Sequence, residues 1–254
     1  ERHPFPVLLL FGPTAVGKTE LLYSLFPGKS EIINADSMQV YRYMDVGTAK
    51  PPHAVRSRLP HHCIDILDPH EQYNAGMFVR HADALIPEIL SRGNVPVLSG
   101  GTAFYFKNFI YGLPETPPVD DGIRKQLQLE LRERGAEQLF AELQDVDPYA
   151  YERLSVRDTD RITRALEVYR QTGKPLSEHA EGQHVRKNYD FLTIGLQRPR
   201  EELYRRIDNR VEAMFRKGLP AEIAGLLDRG YTKSDPGMQA IGYREFFSMR
   251  EEGC

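Results

Sequence analysis

The chain has 254 residues, 41% of them hydrophobic, and its acidic and basic residues nearly balance at a formal net charge of −3. That supplies a core for one large or two modest domains and excludes a polycation, so a nucleic-acid partner would have to be held by a local basic stripe. Two distant cysteines, Cys63 and Cys254, exclude a disulfide scaffold; no apolar run approaches the roughly 18–20 residues of a membrane span, residues 1–6 carry no signal-peptide pattern, and a reducing, cytoplasmic setting without a membrane partner is expected.

The first element is the apolar run over residues 7–11, read as a buried strand. Gly12-Pro13-Thr14-Ala15-Val16-Gly17-Lys18-Thr19 follows and fits the G-x-x-x-x-G-K-[ST] phosphate loop, with a helix expected over residues 19–26. In this strand–loop–helix setting, glycines let backbone N–H groups turn inward around phosphate oxygens, and the helix N-terminus favours anions. Lys18 supplies a mobile cation, and the Thr19 hydroxyl is placed to help hold Mg²⁺. The motif alone leaves open which phosphate compound binds.

A short strand over residues 31–34 is predicted to end at Ala35-Asp36-Ser37. A loop-rich stretch over 38–72 follows, broken by Gly47, Pro51, Pro52, Pro60 and Pro69. Asn74 is placed to cap a helix over 75–91. The strand 95–99 leads into Gly100-Gly101-Thr102, and a helix is expected over 103–110. Strand and helix in this order predict an α/β parallel sheet with helices on both faces.

After the Pro-rich break at 114–118 the pattern turns almost wholly helical from about 120 to 174. Leu127, Leu131, Leu139 and Leu143, then Ile162, Leu166 and Tyr169, recur at helical spacing and read as packing stripes. A strand over 191–196 and helices over 201–217 and 220–229 return the chain to its earlier pattern. The expected organisation is a P-loop α/β core formed by 1–112 and 191–254, interrupted by an all-helical insertion at 113–190.

Ligands gather at the carboxyl ends of strands in an open parallel sheet. Asp36 is therefore expected to face the phosphate loop, as a general base, a Mg²⁺ ligand or a turn cap. Gly100-Gly101-Thr102 lies on the same edge, with glycines for close backbone approach to a ligand. The strand 95–98 ends in Ser99 rather than the acid a phosphoryl-transferring enzyme carries there, which weakens a kinase reading. Arg161 and Arg164 share a helix face, suited to a phosphate backbone, although spacing alone favours a solvated, ion-paired face. Arg206 and Arg210 are four apart and could reach one phosphate group, with surface pairing to Glu201, Glu202 or Asp208 as the default. His61-His62-Cys63 lacks a second ligand cluster and is not read as a metal site.

Together several segments resemble the bacterial tRNA dimethylallyltransferase (tRNA isopentenyltransferase) family. They are the phosphate loop 12–19, Asn34-Ala35-Asp36-Ser37-Met38-Gln39-Val40-Tyr41, Asp45-Val46-Gly47-Thr48-Ala49-Lys50-Pro51, His61-His62, Gly100-Gly101-Thr102-Ala103-Phe104-Tyr105, residues 161–168, and Gln239-Ala240-Ile241-Gly242-Tyr243-Arg244-Glu245. The resemblance spans residues 8–247. It implies transfer of a dimethylallyl group from dimethylallyl diphosphate to N6 of the adenosine 3′ to a tRNA anticodon, with release of diphosphate.

The resemblance also implies roles by position. Asp36 is the general base, and Thr102 contacts substrate near the reacting centre. Gly12, Pro13, Thr14, Ala15, Val16, Gly17, Lys18, Thr19 and Arg210 bind the diphosphate, with Mg²⁺ as cofactor and Thr19 as its ligand. Asp36, Ser37, Met38, Gln39, Thr102, Arg124, Arg161, Ile162, Thr163, Arg164, Gln239, Ala240, Ile241, Gly242, Tyr243 and Arg244 face tRNA, the insertion gripping the anticodon stem-loop. No obligate protein partner is implied. The family pattern continues beyond the Gly-Tyr-Arg-Glu segment as a basic helical tail, and the eukaryotic Cys/His zinc module has no counterpart here. The alternatives are an adenylate (AMP) dimethylallyltransferase, a P-loop small-molecule kinase and a non-catalytic RNA-binding protein.

Overall fold

The computed structural model describes residues 4–25, 28–114, 116, 120–180 and 184–251. Phe26, the last residue of the stretch expected to begin the first helix, lies outside them, as do Cys254 and residues 115 and 117–119 of the Pro-rich break. The chain divides into two units, Glu1–Tyr111 with Arg186–Cys254, and Gly112–Val185.

The first unit is built on a parallel sheet of β1 (Phe5–Phe11), β2 (Ser30–Asn34), β3 (His61–His62), β4 (Val95–Gly100) and β5 (Tyr189–Gly195), in the order β3-β2-β4-β1-β5. Strands buried on both faces read as continuous apolar runs, which is how β1 and β4 appear in sequence. Alternate β1 residues enter different cores, because side chains alternate across a strand. Val7 and Leu9 pack with Phe78, Ile86 and Phe109 on one face, while Leu8 and Leu10 pack with Leu22, Ile32 and Leu59 on the other. Helix α1 (Lys18–Leu25) contributes Leu22 to the second face; α3 (Ala75–Ser91) and α4 (Ala103–Tyr111) cover the first. Asn74 caps α3 by accepting the Met77 N–H at 3.0 Å.

The stretch 38–72 is more ordered than expected. It holds the short α2 (His53–Arg56) and β3, whose residues pair with Ile32 and Ile33 of β2. Val40, Tyr41 and Met44 are core residues. Two-residue strands carry no periodicity to detect, and the prolines mask how tightly this segment packs.

The second unit contains α5 (Asp121–Arg134), α6 (Ala136–Val146), α7 (Pro148–Tyr151), α8 (Thr159–Thr172) and α9 (Leu176–Ala180). Leu127, Leu139, Leu143, Ile162 and Leu166 form its core, the stripes that helical spacing predicted. Arg170 binds Glu130 and Glu142, and this pairing draws the Glu130 carboxyl down to about 2. After β5 the first unit closes with α10 (Arg200–Arg216), α11 (Leu219–Asp228), a 3-10 turn at Gly237–Gln239 and α12 (Arg244–Glu251). Among the described residues no helix is long and apolar enough to cross a membrane.

Candidate active site

The phosphate loop leaves β1 and enters α1 through two left-handed residues, Ala15 (φ 65°) and Gly17 (φ 106°). Gly12 serves packing: a methyl there would lie 2.8 Å from the Leu196 carbonyl oxygen beyond β5. The Lys18 ammonium donates to the carbonyls of Gly12 (2.9 Å) and Pro13 (3.0 Å). Two expected diphosphate contacts are narrowed here. Pro13 has no N–H to offer, and the Val16 side chain is buried in the protein, which leaves it only its backbone.

Beside the loop lies a cleft of about 190 Å³. Thr14, Ala15, Gly17, Lys18 and Thr19 line one wall. Asn34, Asp36 and Gln39 come from the end of β2, Ser99, Gly100 and Gly101 from β4, and Arg206 and Arg210 from α10. Parallel strands place these segments at one sheet edge, as the topology requires.

Asp36 performs the capping role that its position also allowed. Its Oδ1 accepts the N–H groups of Met38 (2.9 Å) and Gln39 (3.3 Å). Burial pushes the Lys18 pKa down, the Asp36 charge opposes that shift and Arg210 adds to it. Arg210 is likewise pushed down by burial and held up by Asp36. One carboxylate therefore lies within electrostatic reach of two partly desolvated cations. Arg210 also makes a long, 3.4 Å contact with the Thr48 carbonyl, which accepts from Gln39 Nε2 as well.

The glycine pair at β4 divides its work. A Cβ on Gly100 would lie 2.1 Å from the Ala35 carbonyl oxygen, so the close approach there is between two backbones rather than to a ligand; Gly101 faces open space. The Thr102 N–H donates to the same Ala35 carbonyl at 3.1 Å. Its hydroxyl accepts the Ser37 N–H at 3.1 Å. Thr102 thus ties β4 to the turn that carries Asp36, while the cleft lining itself is supplied by its neighbours.

The residues expected to face tRNA sort into four groups. Ile162, Ala240 and Tyr243 are buried, so their side chains are not RNA contacts. Ile162 belongs to the core of the second unit, and the Tyr243 ring packs against Gly47 while its hydroxyl donates to Glu222. Other residues are engaged within the protein. Arg124 and Arg164 both pair with buried Glu167, at 3.3 and 2.6 Å, Thr163 Oγ1 donates to the Thr159 carbonyl, and the Gly242 N–H donates to Glu245. Arg161, Gln239, Ile241 and Arg244 are exposed, Ile241 at 78%, although Gln239 Nε2 also bonds the Lys233 carbonyl and Arg244 pairs with Glu245 at 3.0 Å. Ser37, Met38 and Gln39 are half-buried.

Comparison with known proteins places this architecture. The family model for IPP transferase matches residues 39–254. The chain belongs to the IPP transferase family. It is 48% identical over 252 residues to tRNA dimethylallyltransferase 2 of Geotalea uraniireducens, covering 98% of this chain and 81% of that one. It is 45% identical to the tRNA dimethylallyltransferase of Borrelia turicatae, covering 94% and 79%. Among solved structures, the full-length tRNA isopentenylpyrophosphate transferase of Bacillus halodurans aligns with a TM-score of 0.66 and 36% identity, over 98% of this chain and 78% of that one. A eukaryotic dimethylallyltransferase, seen in crystallographic snapshots acting on tRNA, aligns with a TM-score of 0.80 and 28% identity, over 97% and 63%.

Several contacts of this IPP transferase escaped the sequence analysis. Arg206 lines the cleft and donates to the Ala15 carbonyl rather than pairing along its own helix. Arg198 donates to the Val16 carbonyl. His61 also lines the cleft; its Nδ1 donates to the Leu59 carbonyl at 2.6 Å, and burial lowers its pKa. Glu222 accepts the N–H groups of Asp45, Val46 and Gly47 at 2.7–3.1 Å. No local pattern marks any of these contacts. Signals existed for Arg206, in its four-residue spacing to Arg210, and for His61, within the family's His-His pair.

Proposed function

We propose that this enzyme transfers a dimethylallyl group from dimethylallyl diphosphate to N6 of the adenosine 3′ to a tRNA anticodon. The observation that carries the reading is the convergence of Asp36, Lys18, Arg210 and the phosphate loop on one cleft, beside a strand, β4, whose last residues are Ser99 and Gly100 with no acid. Prenyl transfer needs a phosphate cradle and a base; it does not need the machinery of phosphoryl transfer.

The reaction breaks the bond between the allylic carbon and the diphosphate oxygen and forms the bond from that carbon to N6. The N6 proton passes to the Asp36 carboxylate. An adenine amine is a poor nucleophile until it loses that proton, so transfer to Asp36 accompanies C–O cleavage. Thr14, Lys18, Thr19, Arg210 and the loop N–H groups hold the departing diphosphate, and their charge matters most as the leaving group gains its own. Thr102 keeps the turn bearing Asp36 in register with β4. Gln39, steadied by the Thr48 carbonyl, is the adjacent contact for the acceptor nucleotide, which has to leave its stack to enter the cleft. Arg161, with Gln239, Ile241 and Arg244, supplies exposed surface for tRNA.

Mg²⁺ fits the donor set. Thr19 offers a hard hydroxyl oxygen in the cleft, and magnesium takes one or two protein oxygens together with water and phosphate oxygens. When bound, it neutralises charge on the diphosphate.

The test is mass spectrometry of nucleosides from unmodified tRNA incubated with the protein, Mg²⁺ and dimethylallyl diphosphate. N6-dimethylallyladenosine is the expected product. Transfer to AMP but not to tRNA would overturn the acceptor, and ATP consumption with a hydroxyl acceptor would overturn the reaction.

A further inference from the structure

Two arginines bind backbone carbonyls of the phosphate loop, Arg206 from a position that also lines the cleft. Arg198, between β5 and α10, donates from Nε to the Val16 carbonyl at 2.8 Å and from Nη1 to Glu202 at 2.6 Å. Arg206 donates from Nε to the Ala15 carbonyl at 2.6 Å and pairs loosely with Glu20 at 3.4 Å. Both guanidinium groups flank Gly17, where a Cβ would lie 3.5 Å from Arg198 Nη2 and 4.0 Å from Arg206 Nη2.

A trans peptide points its C=O and the next residue's N–H in opposite directions, and the described chain has no cis peptide bond. The Ala15 carbonyl shares its plane with the Val16 N–H, and the Val16 carbonyl shares its plane with the Gly17 N–H. Turning both carbonyls toward the arginines therefore turns both N–H groups the other way. The Val16 N–H does point to the inner side of the loop: its acceptor, at a long 3.4 Å, is the Pro13 carbonyl, which also takes the Lys18 ammonium at 3.0 Å. A phosphate oxygen is a stronger acceptor for the same two donors.

We propose that Arg198 and Arg206 are positioning residues that preset the Gly17 and Val16 N–H groups, respectively, as donors to the substrate's diphosphate. This rests on the reading that the loop holds a diphosphate. Without the arginines, either peptide is free to flip and present a carbonyl oxygen to the anion, so the loop would bind it less well even with Lys18 intact.

The test uses the full chain with Mg²⁺ and inorganic diphosphate as probe, read by calorimetry and by backbone amide NMR. Arg198→Met and Arg206→Met should each weaken diphosphate binding by about tenfold, the worth of one charge-assisted hydrogen bond, with tRNA affinity unchanged. Arg205→Met, on the same helix but exposed, removes an equal charge and should change binding less than twofold. Diphosphate should shift the Val16 and Gly17 amides downfield in the parent protein. The Val16 shift should be lost in the Arg206 variant and the Gly17 shift in the Arg198 variant. Equal weakening by Arg205→Met would assign the effect to bulk charge and overturn the proposal. Amides that do not move in the parent protein would overturn it even if a variant failed to fold. No heat from the parent protein would overturn the diphosphate reading as well, whereas heat from the parent and unchanged variants would overturn the positioning role alone.

Discussion

The hydroxyl of Thr102 accepts the backbone N–H of Ser37 at 3.1 Å, and so fixes the turn bearing the proposed base to the end of a different strand. Asp36 has two tasks in that turn, because its Oδ1 also accepts the Met38 and Gln39 N–H groups. Asn keeps an acceptor oxygen for the cap and loses the basicity. Asp36→Asn should therefore slow the chemical step by about 10²–10⁴-fold while tRNA affinity stays within about twofold. Single-turnover kinetics beside a binding assay separate the two effects, and a loss confined to binding would remove the base assignment.

Arg161 and Arg164 should behave differently despite sharing a helix face. Arg161 is exposed, and Arg161→Ala should weaken tRNA binding and flatten its dependence on salt by about one counterion. Arg164 binds Glu167 at 2.6 Å beside Arg124. Removing it leaves a buried carboxylate with one partner, which should cost about 2 kcal/mol of stability, less than the roughly 3–5 kcal/mol of a fully unpaired buried charge. Salt-dependent binding curves and chemical denaturation distinguish the outcomes; an unchanged salt slope for Arg161→Ala would count against a phosphate contact.

Glu222 closes the loop 45–47 by accepting three successive N–H groups, and the Tyr243 hydroxyl donates to the same carboxylate. Glu222→Ala should raise amide hydrogen exchange at Asp45, Val46 and Gly47 by at least about tenfold, whereas Tyr243→Phe should cost about 1 kcal/mol and leave those amides protected. Exchange that is equal in both variants would show that the carboxylate does not hold the loop.

Glu31 provides a pH test. Hydrogen bonds from Arg92, then Asn94 and His62, draw its carboxyl down to about 2 against the opposing effect of burial. A carboxyl lowered in the folded state contributes stability above its unfolded value of about 4.5 and loses it as the pH falls toward 2. Glu31→Gln should be less stable than the parent by about 2–3 kcal/mol at pH 7. The difference should shrink between pH 4.5 and pH 2, and a gap that persists undiminished at pH 2.5 would assign it to packing.

The phosphate loop, the Asn74-capped helix and the packing stripes of the helical unit were legible because each rests on local order: a motif, a cap or a repeat. Arg198 was not, since its bond reaches a backbone carbonyl 182 residues away, and of Arg206 only its spacing to Arg210 was legible, not its bond to a carbonyl 191 residues away. Ile162 illustrates a different failure. The resemblance assigned it to tRNA with its whole segment, yet its spacing to Leu166 already placed it on the apolar stripe where the structure finds it. Tyr243 carried no such mark, because one aromatic in a short motif has no period to read. Family motifs identify segments, and side-chain orientation within them has to come from helical phase or from coordinates.

The residues Gly112–Val185 separate β1 from the strand that completes its edge. β1 pairs with β4 early in the chain, whereas its other side receives β5 in an unbroken parallel ladder from Phe5↔Tyr189 to Phe11↔Gly195. During synthesis that side remains uncovered until the whole helical unit has left the ribosome. An apolar strand with unsatisfied backbone groups is a template for association with other chains. The helical unit therefore sets a timing constraint on folding: β5 cannot dock on β1 until the residues that follow that unit have been made.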